Sequence, residues 1–166
     1  LSKDKNTEGE YVTTQGGYRY STSVGGTLTG RGGNLIIIDD PQKPADALSD
    51  ARRKAVNEWY NNTLFSRLDN KVTDPIVLVM QRLHLDDLVG HVLEQDEWVH
   101  LDLPAIAEED QDIALNPDQV YRRKAGDVLH PERESRAVLE QIRQTLGSFA
   151  FSAQYLQQPV PVEGSI

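Results

Sequence analysis

The chain has 166 residues and 18.6 kDa, with 38% hydrophobic and 26% charged residues and a mean hydropathy of -0.52. That suffices for one globular unit and lacks the low-hydropathy, high-charge bias of a disordered chain. The absence of cysteine excludes disulfides, thiolate metal sites and cysteine nucleophiles and fits a reducing cytoplasm, while no apolar run reaches the roughly 18 residues that span a bilayer. A net charge of -9 disfavours a surface that grips nucleic acid unaided, because the phosphate backbone rewards Lys and Arg. Since the chain opens on Leu1 rather than methionine, it is expected to be a piece of a longer polypeptide.

Tyr18, Tyr20 and Thr22 alternate with Arg19 and Ser21 between Gly16-Gly17 and Gly25-Gly26, which predicts a strand. A glycine-rich stretch, 25–33, follows. Leu35, Ile36, Ile37 and Ile38 then form a continuous aliphatic run closing on Asp39-Asp40-Pro41. Such a run predicts a central parallel strand covered on both faces. Apolar residues at near-helical spacing, Leu48, Ala51, Ala55, Trp59 and Leu64, predict a long helix over 47–66, with Asp46 and Asp50 complementing its dipole. After Asp74-Pro75, the run 76–80 predicts a second buried strand. Leu88, Val89, Val92 and Leu93 predict a helix opened by Asp86 and Asp87. Alternation predicts a strand over 98–103, and an acidic loop, 108–112, leads past Pro117 to Arg122-Arg123-Lys124. Val138, Leu139, Ile142 and Leu146 outline an amphipathic helix. Pro159, Pro161 and Gly164 read as a linker. Strands alternating with helices imply an α/β fold with a mostly parallel sheet, without internal repeats.

The strand ending in Asp39-Asp40 carries the sharpest chemical signal. It delivers two hard oxygen ligands to the C-terminal edge of a sheet, where open α/β sheets bind ligands. In nucleotide hydrolases the first acid of such a pair associates with magnesium and the next orients or deprotonates the attacking water. Asp40 is one methylene shorter than the glutamate common there. The alternative is that the pair caps the turn before Pro41. The glycine-rich stretch is not a phosphate loop, because it lacks the Lys-Ser/Thr step and enters a strand, and no G-x-x-x-x-G-K-[ST] occurs elsewhere. It reads as a flexible turn, or as a mount from which Arg31 reaches a phosphate. Gln81-Arg82 follows the second strand and is expected on the same edge as Asp39, either binding the terminal phosphate or as solvated loop. His84, His91, His100 and His130 lack metal spacing. The triplets Arg52-Arg53-Lys54 and Arg122-Arg123-Lys124 read as solvated faces or intersubunit ion pairs rather than DNA readers.

In order, Gly16-Gly17-Tyr18-Arg19-Tyr20, Ser23-Val24-Gly25-Gly26, Thr29-Gly30-Arg31-Gly32, the segment 35–41 and Met80-Gln81-Arg82-Leu83-His84 resemble the large terminase subunits of phages and prophages. Arg53 with Asn57-Glu58-Trp59-Tyr60, Asp86-Asp87-Leu88-Val89-Gly90 and Gln154-Tyr155-Leu156-Gln157-Gln158-Pro159 extend the resemblance over nearly the whole chain. It implies residues 1–150 as the later half of a RecA-like P-loop ATPase domain, flanked by helices and lacking the Walker A loop, and 151–166 as a linker toward a nuclease domain. By resemblance, Asp39 is the magnesium-associated Walker B acid, Asp40 the catalytic carboxylate, Gln81 and Arg82 the nucleotide-sensing coupling motif, and Arg31 a catalytic finger toward a neighbouring subunit. ATP and Mg2+ are the implied cofactors in the intact protein. Double-stranded DNA, the portal protein, the small terminase subunit and further copies in a ring are the implied partners, in the host cytoplasm. Two other readings stand beside this one. One is a metal-dependent phosphodiesterase using Asp39, Asp40 and Asp86 or Asp87; the other is a non-enzymatic prophage remnant or docking module.

Overall fold

The computed structural model describes residues 6–161. A small antiparallel hairpin comes first, β1 (Glu10–Val12) paired with β2 (Tyr18–Tyr20), with Tyr11 opposite Arg19. β2 lies where the alternation predicts it, whereas no alternation marks β1. The glycine-rich stretch that follows is packed rather than slack. Leu28 is buried, the Tyr18 hydroxyl donates to the Gly32 carbonyl, and the Gly33 amide donates to the Arg67 carbonyl at 3.0 Å. A Cβ on Gly32 would collide with the Asp69 carboxylate and lie 3.1 Å from the Arg67 carbonyl, so close backbone approach accounts for glycine there.

The two aliphatic runs become β3 (Ile36–Asp39) and β4 (Ile76–Val79), paired in parallel with Ile36 opposite Ile76 and Asp39 opposite Val79. Parallel neighbours need a crossover, commonly helical. Here it is α1 (Asp50–Trp59), prolonged by a π-helical segment, Tyr60–Leu64, and a 3-10 turn, Phe65–Arg67. The helix expected over 47–66 is thus a helical stretch that changes pitch. Val56, Tyr60 and Leu64, spaced by four, bury against Leu28 and Ile38 and against Leu88 and Val92 of α2 (Leu88–Gln95). Each such side chain contributes about 1.5–3 kcal/mol when fully buried, so this cluster holds β3 and β4 in place.

The described residues form no single large sheet. Among the described residues there are three separate two-stranded sheets, and only β3–β4 is parallel. The fold is therefore mixed α/β with small sheets. Nor is β3 covered on both faces. Ile36, Ile38, Ile76 and Leu78 face the core, but Ile37 is 64% and Val79 53% exposed, with Leu35 and Val77 also exposed on that strand pair. An uninterrupted aliphatic run signals cover on two sides only when a second layer is present; among the described residues none packs here.

The C-terminal third differs most from expectation. Residues 98–103 form no strand, and Val99 is fully exposed. The expected acidic loop holds over 108–110 but gives way at 111 to an unexpected hairpin, β5 (Gln111–Asn116) and β6 (Gln119–Arg123), antiparallel and turning at Pro117-Asp118, with a register irregularity between Ala114 and Asn116. Most of its residues are exposed, so no apolar face betrays it. α3 (Arg136–Leu146) starts at Ser135, whose hydroxyl accepts the Val138 amide, and buries Leu139. α4 (Ser148–Gln154) follows Gly147 and buries Phe151 and Ala153. Phe151 stacks on Tyr155 at 5.1 Å between ring centres and carries Arg143 over its ring at 4.6 Å. The boundary expected at 150/151 therefore falls inside a packed helix; Gly164 of the expected linker lies outside the described residues. No helix among the described residues is long and apolar enough to cross a membrane.

Candidate functional site

Asp39 is the last residue of β3, and Asp40 stands just beyond it with its amide donated to the Val79 carbonyl at 2.9 Å. Both are exposed, and neither carboxylate has a hydrogen bond or ion pair among the described residues. Asp40 has φ 43, in the left-handed region that non-glycine residues enter at a cost and where asparagine and aspartate are the most tolerated. Local strain at a strand end beside free carboxylates is a common feature of working sites. The pair suits magnesium, which takes one or two carboxylates and fills its remaining positions with water and substrate phosphate oxygens.

The parallel register brings the end of β4 alongside. Gln81 and Arg82 leave the same edge of the sheet as the acid pair, as expected. The Gln81 side chain makes no hydrogen bond among the described residues. Arg82 is committed elsewhere. Its Nε donates to both oxygens of Asp87, at 3.1 and 3.0 Å, and its terminal nitrogen to the carbonyls of His84 and Leu85. Asp87 is fully buried and also accepts the amides of Leu83, His84 and Gly90. In doing so it caps α2. A glycine at 90 is needed because a Cβ there would run into the Leu85 carbonyl. His84 packs beside this turn, and burial, then the nearby Arg53 charge, hold its pKa below the usual histidine value.

Arg31 does not project freely from its glycine mount. Its guanidinium forms a two-point ion pair with Glu10, at 2.6 and 3.1 Å, and lies 5.1 Å from the centre of the Tyr20 ring. The Glu10 contact keeps the guanidinium charged, raising its pKa further. No protein-family model matches this chain, and no curated protein sequence matches it. The site is therefore defined by its own geometry.

The two basic triplets are not simply solvated. Arg53 is buried, donating to the Ala47 carbonyl at 2.7 Å and pairing with Asp50 and Asp86. Arg123 is buried too, donating to Gln111 and to the carbonyls of Pro104 and Asp127. Their neighbours Lys54, Arg122 and Lys124 pair with Glu58, Asp112 and Asp110 of the same chain. A hollow of about 340 Å³ between α1 and α2 is lined by Asp50, Arg53, Lys54, Asn57, Asp86 and neighbouring polar residues. Within it Arg53 pairs with Asp50 and Asp86 and Lys54 with Glu58, and Asp39 and Asp40 do not line it. Among the described residues no three of His, Asp or Glu gather as a metal cluster.

Sequence reasoning missed three residues here. Asp87 was read as a helix-opening acid and, in the phosphodiesterase alternative, as a metal ligand, with no sign that it binds Arg82. Gln42, just past Pro41, is buried with both amide atoms lacking a hydrogen-bond partner, which is unusual enough to mark it for testing. Gln157 reaches the end of β4 from 75 residues away in sequence, a contact no local pattern could reveal.

Proposed function

We propose that the chain is the Walker B and coupling portion of an ATP-hydrolysing motor that moves viral DNA into a procapsid, the later half of a large terminase ATPase domain. The observation that carries this reading is the pair of uncommitted carboxylates, Asp39-Asp40, beside the uncommitted Gln81 amide at one edge of two parallel strands. The exposed apolar face of β3–β4 supports it as well, since a parallel sheet is ordinarily covered on both sides, as it would be within a larger RecA-like sheet. Asp39 would hold the magnesium, directly or through water. Asp40 would orient the attacking water and accept its proton, and the Gln81 amide would hydrogen-bond the terminal phosphate. Bound magnesium would neutralise charge on the β and γ phosphates.

This reading makes Arg82 a support for the Gln81 turn, since its guanidinium is saturated by Asp87 and two carbonyls. It assigns Arg31 as a finger toward a neighbouring subunit's nucleotide, which requires exchanging Glu10 for the phosphoryl group. The proposed setting is the host cytoplasm, with duplex DNA, a portal, a small terminase subunit and sister copies in a ring. The phosphodiesterase alternative has less support, because two-metal hydrolysis needs a converging set of ligands and Asp87 is already saturated.

Mixed assemblies test the proposal. In the full product of the gene, Arg31→Ala and Asp39→Asn should each abolish DNA-stimulated ATP hydrolysis, an arginine finger being worth on the order of thousandfold in rate. Mixing the two variants should restore activity at interfaces that pair an intact Asp39 site with an intact Arg31. Co-assembled, folded variants that never recover activity would refute the finger in trans.

A further inference from the structure

Among the described residues, two that are not glycine have a left-handed backbone, Asp40 at φ 43 and Gln157 at φ 59. They lie far apart in sequence yet meet the same sheet edge. Asp40 ends β3 with its amide on the Val79 carbonyl of β4. The Gln157 side-chain carbonyl accepts the Arg82 amide, three residues beyond the end of β4, at 3.0 Å. The other half of that side-chain amide donates to the Gln154 carbonyl at 2.7 Å, so one planar group joins the end of α4 to the turn that carries Gln81. The side-chain amide supplies an acceptor and a donor together.

The surrounding contacts make the junction a firm one. Gln157 is half-buried, and two residues earlier the Tyr155 carbonyl accepts the Ala105 amide at 2.7 Å. Just beyond, the Ser152 hydroxyl donates to the Gln158 carbonyl at 2.7 Å and the Gln158 amide donates to the Ser152 carbonyl at 2.9 Å. On the other side of the junction, the Arg82 guanidinium is fixed to Asp87 and so to the first turn of α2. A left-handed glutamine persists only where its surroundings over-determine it, and here they do.

We infer that Gln157 is a positioning residue that fastens α4 and the segment 155–161 to the turn Gln81-Arg82, so that a displacement of that turn is carried into the C-terminal segment. The mechanical half of this inference stands on the hydrogen bonds alone. Its functional half, that the displacement follows nucleotide chemistry at Gln81, rests on the motor reading above.

The test has a corresponding arm for each half. In the 166-residue chain, amide hydrogen exchange read by NMR compares the Arg82 amide with those of Leu83 and Gly90, which Asp87 holds independently of Gln157. Gln157→Met, of similar shape but unable to form either bond, should speed exchange at Arg82 on the order of fivefold, the opening expected for one lost hydrogen bond. Leu83 and Gly90 should be unchanged. Gln157→Glu, which keeps an acceptor, should restore most of the protection at Arg82. An unchanged Arg82, or equal acceleration at all three amides, would overturn the fastening. In the full gene product, Gln157→Met should lower DNA moved per ATP hydrolysed at least severalfold while hydrolysis itself persists. Parallel loss of both, or of neither, would overturn the transmission role. A wild-type product without ATP hydrolysis would overturn the motor reading and the transmission role with it, while the exchange result would still decide the fastening.

Discussion

The dipeptide Asp-Asp occurs twice in this chain, at 39–40 and at 86–87, and Asp87 of the second pair has a fate opposite to that of the first pair. Asp87 is fully buried, receives the Arg82 guanidinium and three backbone amides, and caps α2. Asp39 and Asp40 stand exposed at the end of β3 with nothing bonded to either carboxylate among the described residues. What separates them is what the local backbone offers. A turn leading into a helix presents amides that converge on one carboxylate, whereas the end of a parallel strand spends its amides on its neighbour strand. The comparison teaches that an acid saturated by its own chain serves the fold, and an acid left unsaturated at a sheet edge is available for chemistry.

The contrast predicts unequal costs of substitution. Asp87→Ala should show the largest effect, about 3–5 kcal/mol of lost stability, because it strands a largely buried guanidinium and leaves three amides without their acceptor. Urea unfolding would measure this, and a loss below about 1 kcal/mol would break the structural half of the comparison. A pH effect of smaller size belongs to His84, beside the same turn. Its folded-state pKa lies below the ordinary value of 6.5, through burial first and Arg53 second, so the unfolded chain takes up the proton more readily. Stability from this group is fully present above the ordinary value and declines as pH falls toward the lowered one. The urea midpoint should therefore drop on acidification through this window, and His84→Gln should flatten the drop; a midpoint rising on acidification in wild type but not in the variant would have the wrong sign. Smallest of all, Asp39→Asn should leave stability within about 0.5 kcal/mol, as for surface changes that touch nothing. A loss of 2 kcal/mol in the same urea experiment would place Asp39 with Asp87 after all.

The parts of the fold legible in the sequence are those where one periodicity dominates. The aliphatic runs ending in Asp39 and Met80 and the helix bearing Leu139 were found this way, but the crossover helix was legible only in its extent: of its expected stripe Leu64 is buried and Trp59 partly so, Leu48, Ala51 and Ala55 are exposed, and Arg53, Val56 and Tyr60 complete the buried face. The hairpin 111–123 was not legible because its side chains are mostly exposed, so its pairing comes from backbone bonds and a Pro117-Asp118 turn rather than from an apolar stripe. Likewise the aliphatic composition of Ile37 and Val79 spoke for burial that nothing among the described residues supplies. At the candidate site, the placement of Asp39, Asp40 and Gln81 on one edge was readable from strand ends alone. The partners of Arg31 and Arg82 were not, since Glu10 lies 21 residues from Arg31 and two adjacent acids, Asp86 and Asp87, follow Arg82 in sequence.

The proposal that Asp39-Asp40 is the chemical pair is tested most directly by magnesium-dependent ATP hydrolysis in the full gene product carrying Asp39→Asn. The amide keeps the size of the side chain but removes the charge that holds the metal, so hydrolysis should fall at least about a hundredfold. Its urea unfolding curve should superimpose on that of wild type. Hydrolysis at the wild-type rate by that folded variant would contradict the assignment.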